Sequence, residues 1–121
     1  MKIIREKIQV EEFSYFKICY SEDEENILSP TLKKNHQNCY ELCLHVHLIL
    51  ENCQFVGTLS QRFCLQAQNP TEELQLLHQE ITDSLTNELL QPFFQLLNRL
   101  VYEITKITFN DLGIKLSFIT E

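Results

Sequence analysis

The sequence has 121 residues, of which 44% are hydrophobic and 22% charged, and its formal net charge is −7. This size and composition predict a single domain over residues 1–121 that buries one core, and they exclude a disordered chain. No apolar run approaches the roughly 18 residues that a membrane-spanning helix requires. The charged stretch at residues 1–13 has no apolar signal-peptide core, which predicts a cytoplasmic protein.

Composition also argues against two classes of ligand. Nucleic-acid binding needs clustered Lys and Arg, whereas this chain is acidic and its only adjacent basic pair is Lys33-Lys34. Phosphate-binding loops need several glycines at fixed spacing, and the chain has only Gly57 and Gly113. A nucleic-acid partner and a nucleotide cofactor are therefore not expected. An RNA-binding module that uses the sheet as its platform is a third hypothesis, which would require Tyr15, Phe16 and Tyr20 to be exposed on the sheet face.

The cysteines predict no disulfide framework, because their number is odd and no secretion signal is present. No Cys-x-x-Cys pair occurs, which removes the zinc-ribbon and thioredoxin interpretations. Each cysteine is therefore expected to be a small buried hydrophobic residue. The five are Cys19, Cys39, Cys43, Cys53 and Cys64.

The first two elements are predicted as strands over residues 2–10 and 13–20. The first run alternates weakly between apolar and polar side chains, and the second is rich in aromatic and β-branched residues, which suits a pleated surface. Glu11-Glu12 would form the turn of an N-terminal hairpin. A short helix over residues 1–12 is the alternative, but the isoleucines and the valine favour the strand.

Residues 21–38 are predicted to form a long polar and acidic loop. The segment opens with an acidic run at residues 21–25 and continues through Pro30 to Lys33-Lys34. Loops of this length are usually functional or mobile. The acidic run could bind a divalent cation or a basic partner, but its spacing does not match an EF-hand loop, and a solvated run is the simpler interpretation.

The centre of the sequence is a strand over residues 39–50, CYELCLHVHLIL, in which apolar and polar side chains alternate with a period of two. Residues 53–65 alternate in the same way. A turn at residues 51–52 makes the two apolar faces coincide, as a hairpin with one buried face requires. The predicted register pairs Leu50 with Cys53, Leu48 with Phe55, Val46 with Gly57 and Leu44 with Leu59.

A helix is predicted from about residue 70 to about residue 104. Asn69-Pro70 supplies an N-cap and a first helical residue, and apolar side chains then recur at spacings of three and four. Pro92 must kink or divide the helix, because its ring clashes with the carbonyl group four residues earlier. Residues 92–104 are apolar around most of the helix circumference. This apolar surface is larger than the area that one small sheet is expected to cover.

The C-terminal residues are predicted to return to β-structure. Residues 104–109 and 113–120 would form a hairpin closed by Asn110 and Gly113. The order of elements is then ββ-loop-ββ-α-ββ. The predicted fold class is α+β, with a mainly antiparallel sheet of about six strands packed on one long helix.

The one arrangement that suggests chemistry is His45-x-His47 on the polar face of the central strand. Side chains two apart on a strand point the same way, about 7 Å apart, so two imidazoles could hold a divalent transition metal. A metal centre needs a further ligand, for which His36, His78 or an acidic side chain are candidates. The competing interpretation is a pair of exposed histidines with no cofactor, which is the more common situation.

No Ser-His-Asp arrangement with a recognisable local signature occurs, and positioned polar residues are scarce. The leading hypothesis is therefore a non-enzymatic protein-interaction or regulatory module, either an oligomer or a subunit of an assembly. The predicted contact residues are Phe94, Leu97 and Val101 on the apolar helix, and strand addition at a sheet edge is a second route. The alternative is a small metal-dependent protein that uses His45 and His47.

Overall fold

The structure is a computed structural model that describes residues 2–17, 26–36, 38–50, 53–71 and 83–109. The chain divides into two compact units, residues 1–79 and 80–121. In the described residues, the first unit contains five strands and the second contains one long helix, which confirms the α+β class. The elements are β1 (Lys2–Arg5), β2 (Gln9–Lys17), β3 (Ile27–His36), β4 (Cys39–Leu50), β5 (Cys53–Gln66) and α1 (Asp83–Phe109).

The five strands form one antiparallel sheet in which β5 is central. β4 pairs along one side of β5, and β3 pairs with the other side of β4. β1 and β2 pair one after the other along the opposite side of β5. The sheet therefore has β3 at one edge and β1 followed by β2 at the other.

The β4–β5 hairpin has the predicted register, from Leu50 opposite Cys53 to Leu44 opposite Leu59. Both strands bury the same face, as their shared alternation requires. The turn at residues 51–52 lies outside the described residues. The buried hydrophobic side chains of the hairpin are Tyr40, Leu42, Leu44, Val46, Leu48, Cys53, Phe55, Leu59, Phe63 and Leu65.

The predicted N-terminal hairpin is wrong. The chain leaves the sheet at residues 6–8, and Glu11-Glu12 lies inside β2, where a register shift between Val10 and Glu12 marks a bulge. An exposed edge strand tolerates charged side chains, so two adjacent glutamates do not require a turn. The pairing of both strands with β5, and not with each other, replaces the hairpin.

The predicted loop over residues 21–38 is wrong for Ile27–His36, which form β3 and pair with β4. This edge strand is exposed at every position except Leu28, so it lacks the apolar alternation by which a strand is recognised in sequence. The acidic run at residues 21–25 lies outside the described residues.

Gln61 is a polar side chain buried on the apolar face of the sheet, and its hydrogen bonds are satisfied. Its Oε1 accepts from Nε and Nη2 of Arg5, at 3.1 and 2.9 Å, and its Nε2 donates to the main-chain oxygen of Glu6 at 2.8 Å. A buried amide without such partners would be costly. These bonds fix the end of β1 to β5.

The helix α1 runs without interruption from Asp83 to Phe109, so it is not divided at Pro92, and a kink there stays a prediction. Pro70 and Thr71 are helical, as the predicted start requires, and residues 72–82 lie outside the described part of the chain. The side chains of α1 that are fully buried recur mainly at a spacing of four, which is one helix face. They are Leu89, Phe93, Leu97, Val101 and Thr105.

The predicted strand over residues 104–109 is wrong, because α1 continues through it. The β-branched residues there have a preference for strands that the helix overrides. The buried hydroxyl of Thr105 is satisfied within this helix, since it donates to the main-chain oxygen of Val101 at 2.7 Å and lies 3.2 Å from that of Tyr102. The predicted strand over residues 113–120 lies outside the described residues.

Within the described part of the chain, no helix combines the length and the apolar character needed to cross a membrane.

Gly57→Ala is expected to lower the free energy of unfolding by about 1–3 kcal/mol, the usual cost of overpacking. A Cβ atom at Gly57 would overlap the main-chain oxygen of Glu12 and lie 2.7 Å from Cδ2 of Phe13, so β2 would have to move. Urea denaturation followed by circular dichroism measures the change. Ser14→Ala, which adds no atoms in the same strand pair, is the control, and an equal effect of the two changes would contradict the close approach.

Candidate functional site

The side chains that alternate with the buried ones form a second surface of the sheet, here called the polar face. It consists of the odd-numbered residues of β4, the even-numbered residues of β1 and β5, and, from the two remaining strands, Ile27, Ser29, Thr31, Lys33 and His36 of β3 and Gln9, Glu12, Ser14 and Phe16 of β2. Nearly all of these side chains are exposed or half-buried. The polar face is therefore the surface of the sheet on which candidate functional residues can be placed.

His45 lies at the middle of the polar face and is exposed. Its Nε2 is 3.3 Å from the hydroxyl of Thr31 on β3, and its Nδ1 is 3.4 Å from the hydroxyl of Thr58 on β5. Both ring nitrogens are thus within hydrogen-bonding distance of neighbouring strands. The imidazole bridges three strands in this arrangement.

His47 is half-buried on the same face, and its Nε2 hydrogen-bonds the side-chain amide of Gln54. Among the described residues, no group of three or more His, Cys, Asp and Glu side chains could hold a metal ion. His36 lies at the end of β3, and His78 is outside the described residues. A metal ion at His45 and His47 would have to replace their present hydrogen bonds, so metal binding stays a hypothesis.

Cys43, two residues before His45, is a free thiol on the polar face. Partial burial raises the pKa of the Cys43 thiol above its usual value, and the adjacent Glu41 carboxylate raises it further. The thiol donates a hydrogen bond to Oε1 of Glu41 at 3.6 Å. Because the thiolate is the reactive form, Cys43 is a poor nucleophile at neutral pH.

One end of the polar face, here called the apolar end, carries four apolar side chains beside the polar side chains of His47 and Gln54. Phe16 of β2 and Ile27 of β3 are 50% and 51% exposed, although both are large hydrophobic residues. Between them lie Ile49 and Val56, which are half-buried. Exposed apolar side chains that are grouped on one surface mark a binding site more often than scattered ones do.

Pro30 lies in the edge strand β3 and limits the addition of another strand at that edge. The Cα atoms of Cys39 and Cys64 are 4.1 Å apart, which identifies a non-hydrogen-bonded pair. Hydrogen-bonded and non-hydrogen-bonded pairs alternate along β4 and β5, so Leu44 and Leu59 form a hydrogen-bonded pair and the main-chain groups of Leu44 point to β5. Pro30 lies opposite Leu44, so the main chain of Pro30 points away from β4, to the outer edge of the sheet. Proline has no N–H group there, so the edge cannot form a continuous ladder with another strand.

The three predicted contact residues of α1 lie at different depths. Leu97 and Val101 are fully buried, and Phe94 is half-buried. The helical repeat that suggested one apolar stripe after Pro92 does not distinguish the buried part of that stripe from the accessible part. Among the side chains of α1 whose burial the structure describes, the most exposed large hydrophobic one is Ile107, at 77%.

Cys39 and Cys64 form a disulfide across β4 and β5, which corrects the prediction that no cysteines pair. The strand register brings them together: the pairing that places Leu50 opposite Cys53 also places Cys39 opposite Cys64. Directly opposed cysteines in a non-hydrogen-bonded pair are within the distance that a disulfide needs. The register was therefore the signal by which this bond could have been found.

Beside this disulfide, an open cleft of about 610 Å³ lies at the end of the sheet where β3 ends and β4 begins. Local sequence patterns do not indicate this cleft, because it combines residues from three strands and the segment after β1. Its charged and titratable lining residues are Glu6, Lys33, Lys34, His36, Glu41 and Arg62.

The sequence matches one protein family over residues 1–118, and the family is described as protein of unknown function, DUF1149. The chain belongs to this family. No curated protein matches it. The family description assigns no activity, so the fold is the remaining basis for comparison.

Several solved structures share the fold of this DUF1149 chain, including the following two. A protein of unknown function from Streptococcus agalactiae is 19% identical, with a TM-score of 0.80, and the match covers 98% of each chain. The SecB-like chaperone Rv1957 of Mycobacterium tuberculosis, solved with a ChAD peptide from the Rv1956 HigA1 antitoxin, is 9% identical, with a TM-score of 0.67. That match covers 97% of this chain and 90% of the chaperone. At these identities the likeness establishes a SecB-like fold.

Proposed function

We propose that this protein is a non-enzymatic interaction module that binds extended segments of other polypeptides. The observation that carries the proposal is the fold, which is shared over nearly the whole chain with a SecB-like chaperone solved in complex with a peptide.

The apolar end of the polar face is the surface that we assign to such a segment. Phe16 and Ile27 project from strands on opposite sides of the β4–β5 hairpin, with Ile49 and Val56 between them. A peptide lying across these strands would cover all four side chains. Large apolar side chains that become buried on binding contribute most of the binding free energy in such contacts.

Self-association, a regulatory role within a larger assembly and a cytoplasmic location belong to the same proposal. The α1 contact residues are reduced to one accessible member, because Leu97 and Val101 are buried within the chain while Phe94 is half-buried. We therefore assign the accessible part of an α1 contact to Phe94.

The double substitution Phe16→Ser/Ile27→Ser is expected to weaken peptide binding at least tenfold, because it removes both exposed anchors. The measurement is fluorescence anisotropy with a labelled peptide rich in Phe, Leu, Val and Thr. Val10→Ser/Leu32→Ser is the matched control, since these residues are 45% and 41% exposed on the other face of the same sheet. Equal affinities of the two variants would contradict the assigned surface, and no binding by the unmodified protein would contradict the function.

A further inference from the structure

The cleft at the end of the sheet has the opposite charge from the chain as a whole. Among its lining residues, Arg62 is paired with Glu41, with Nε and Oε2 3.5 Å apart. In the described part of the chain, neither Lys33 nor Lys34 forms an ion pair. The cleft therefore contains two exposed ammonium groups without an ion-pair partner, and among its described lining residues Glu6 carries the only carboxylate outside the Arg62–Glu41 pair. The whole chain, in contrast, has a net charge of −7.

The two lysines lie on opposite faces of the edge strand. Lys33 is opposite Glu41 on the polar face, and Lys34 is opposite Tyr40 on the buried face. A register shift between Lys34 and His36 bends β3 at this point. The ammonium groups consequently straddle the sheet edge where it borders the cleft.

The main chain of the same segment is available to a partner. Main-chain groups of successive residues in β3 point alternately to β4 and to the outer edge. Because those of Pro30 point to the outer edge, the N–H and C=O groups of Leu32 and Lys34 do so as well. Pro30 interrupts the edge on one side of this segment, so a short stretch next to the cleft remains for pairing. Positive charge and unpaired main-chain groups thus coincide at one end of β3.

We propose that this cleft binds an acidic, extended peptide segment of a protein partner. Successive side chains of an extended chain point in opposite directions, so adjacent Asp or Glu residues can reach Lys33 and Lys34 while the peptide main chain lies beside Leu32 and Lys34. The inference rests on the proposed function and specifies the class of segment that is bound.

The observations favour a peptide over a nucleic acid. Long polyanions are repelled by an acidic protein unless a broad basic surface neutralises several phosphates. The cleft offers two unpaired lysines, and Glu6 and Glu41 lie beside them. A peptide with a few carboxylates matches that amount of charge.

The experiment compares three fluorescent peptides on the full chain: an apolar extended peptide, the same peptide with four Glu residues at its end, and that peptide with Gln in place of Glu. The Glu peptide is expected to bind at least tenfold more tightly than the Gln peptide at low salt, and added salt should remove the difference. Lys33→Gln/Lys34→Gln should abolish the difference while leaving affinity for the apolar peptide unchanged.

Lys2→Gln/Lys17→Gln is the matched control, because it removes the same charge from β1 and β2, outside the cleft. Equal affinities for the Glu and Gln peptides, or an equal loss of affinity for the Glu peptide in both lysine variants, would overturn the cleft assignment. Binding of the apolar peptide would still test the proposed function separately. Failure of all three peptides to bind would overturn both. If a short RNA bound at the same site more tightly than the Glu peptide, the ligand of the cleft would be a nucleic acid and not a peptide.

Discussion

Phe55→Ala is expected to lower the free energy of unfolding by about 3–5 kcal/mol, the range for removal of a buried aromatic side chain. Phe55 is fully buried in the central strand β5, and its ring centre is 5.6 Å from that of Phe13 and 5.5 Å from that of Tyr15. Alanine would leave a cavity and remove two aromatic contacts that join β2 to β5. Urea denaturation followed by circular dichroism measures the loss.

Phe16→Ala is the control for that experiment, because it removes the same atoms from the same sheet at a side chain that is 50% exposed. Its effect on stability should stay within about 0.5 kcal/mol, as for most surface substitutions. If Phe55→Ala were as mild as Phe16→Ala, the aromatic cluster around β5 would not be the core of the sheet.

Loss of the Cys39–Cys64 disulfide is expected to cost about 3.5 kcal/mol under oxidising conditions. The bond joins residues 25 apart in sequence, and closing a loop of that size removes conformational entropy from the unfolded chain. The unmodified protein and Cys39→Ser/Cys64→Ser are compared by urea denaturation with and without a reductant. In a reducing compartment the pair would be present as thiols, so the difference should appear only without reductant.

Cys43→Ser is the matched control, because Cys43 is a free thiol on the same strand. It should leave the effect of the reductant on the unfolding midpoint unchanged. Mass spectrometry after alkylation identifies the bonded pair directly. A midpoint of the unmodified protein that does not respond to reductant would show that the disulfide does not contribute to stability.

The β4–β5 hairpin could be predicted residue by residue because both strands have one buried and one accessible face. A shift by one residue would turn Leu44 and Phe55 to the polar face, so the hydrophobic pattern allows a single register. The same register contained the Cys39–Cys64 pairing. Cysteine count and the absence of a secretion signal argued against disulfides, and neither of these describes which residues lie opposite each other.

The edge strand β3 could not be predicted from the same pattern, whereas β1 and most of β2 lie within segments predicted as strands. β3 is almost entirely exposed, so its side chains need not alternate between apolar and polar. Pro30 and Lys33-Lys34 are residue types that are common in loops. Those residues are the ones that protect an edge from unwanted pairing. Glu11-Glu12 in β2 was misread for the same reason, since charge on an edge strand resembles charge in a turn.

The candidate surfaces were harder to predict than the strands. The placement of His45 and His47 on one face followed from the period of two, but their hydrogen bonds to Thr31, Thr58 and Gln54 depend on which strands are neighbours. Phe16 and Ile27 are far apart in sequence and share a surface only because β2 and β3 flank the same hairpin. That arrangement follows from the sheet order, which local sequence patterns do not specify.

The central position of β5 has a consequence for how the chain assembles. Lys17 pairs with Cys53 and Lys2 with Gln66, so the first strands to be synthesised pair with the last strand of the sheet. The β4–β5 hairpin can close locally, whereas β1 and β2 must wait until β5 has emerged from the ribosome, and such distant pairing is slow. During that interval Phe13, Tyr15 and Phe16 lack their sheet partners, which makes the N-terminal segment the part of the nascent chain most open to mispairing.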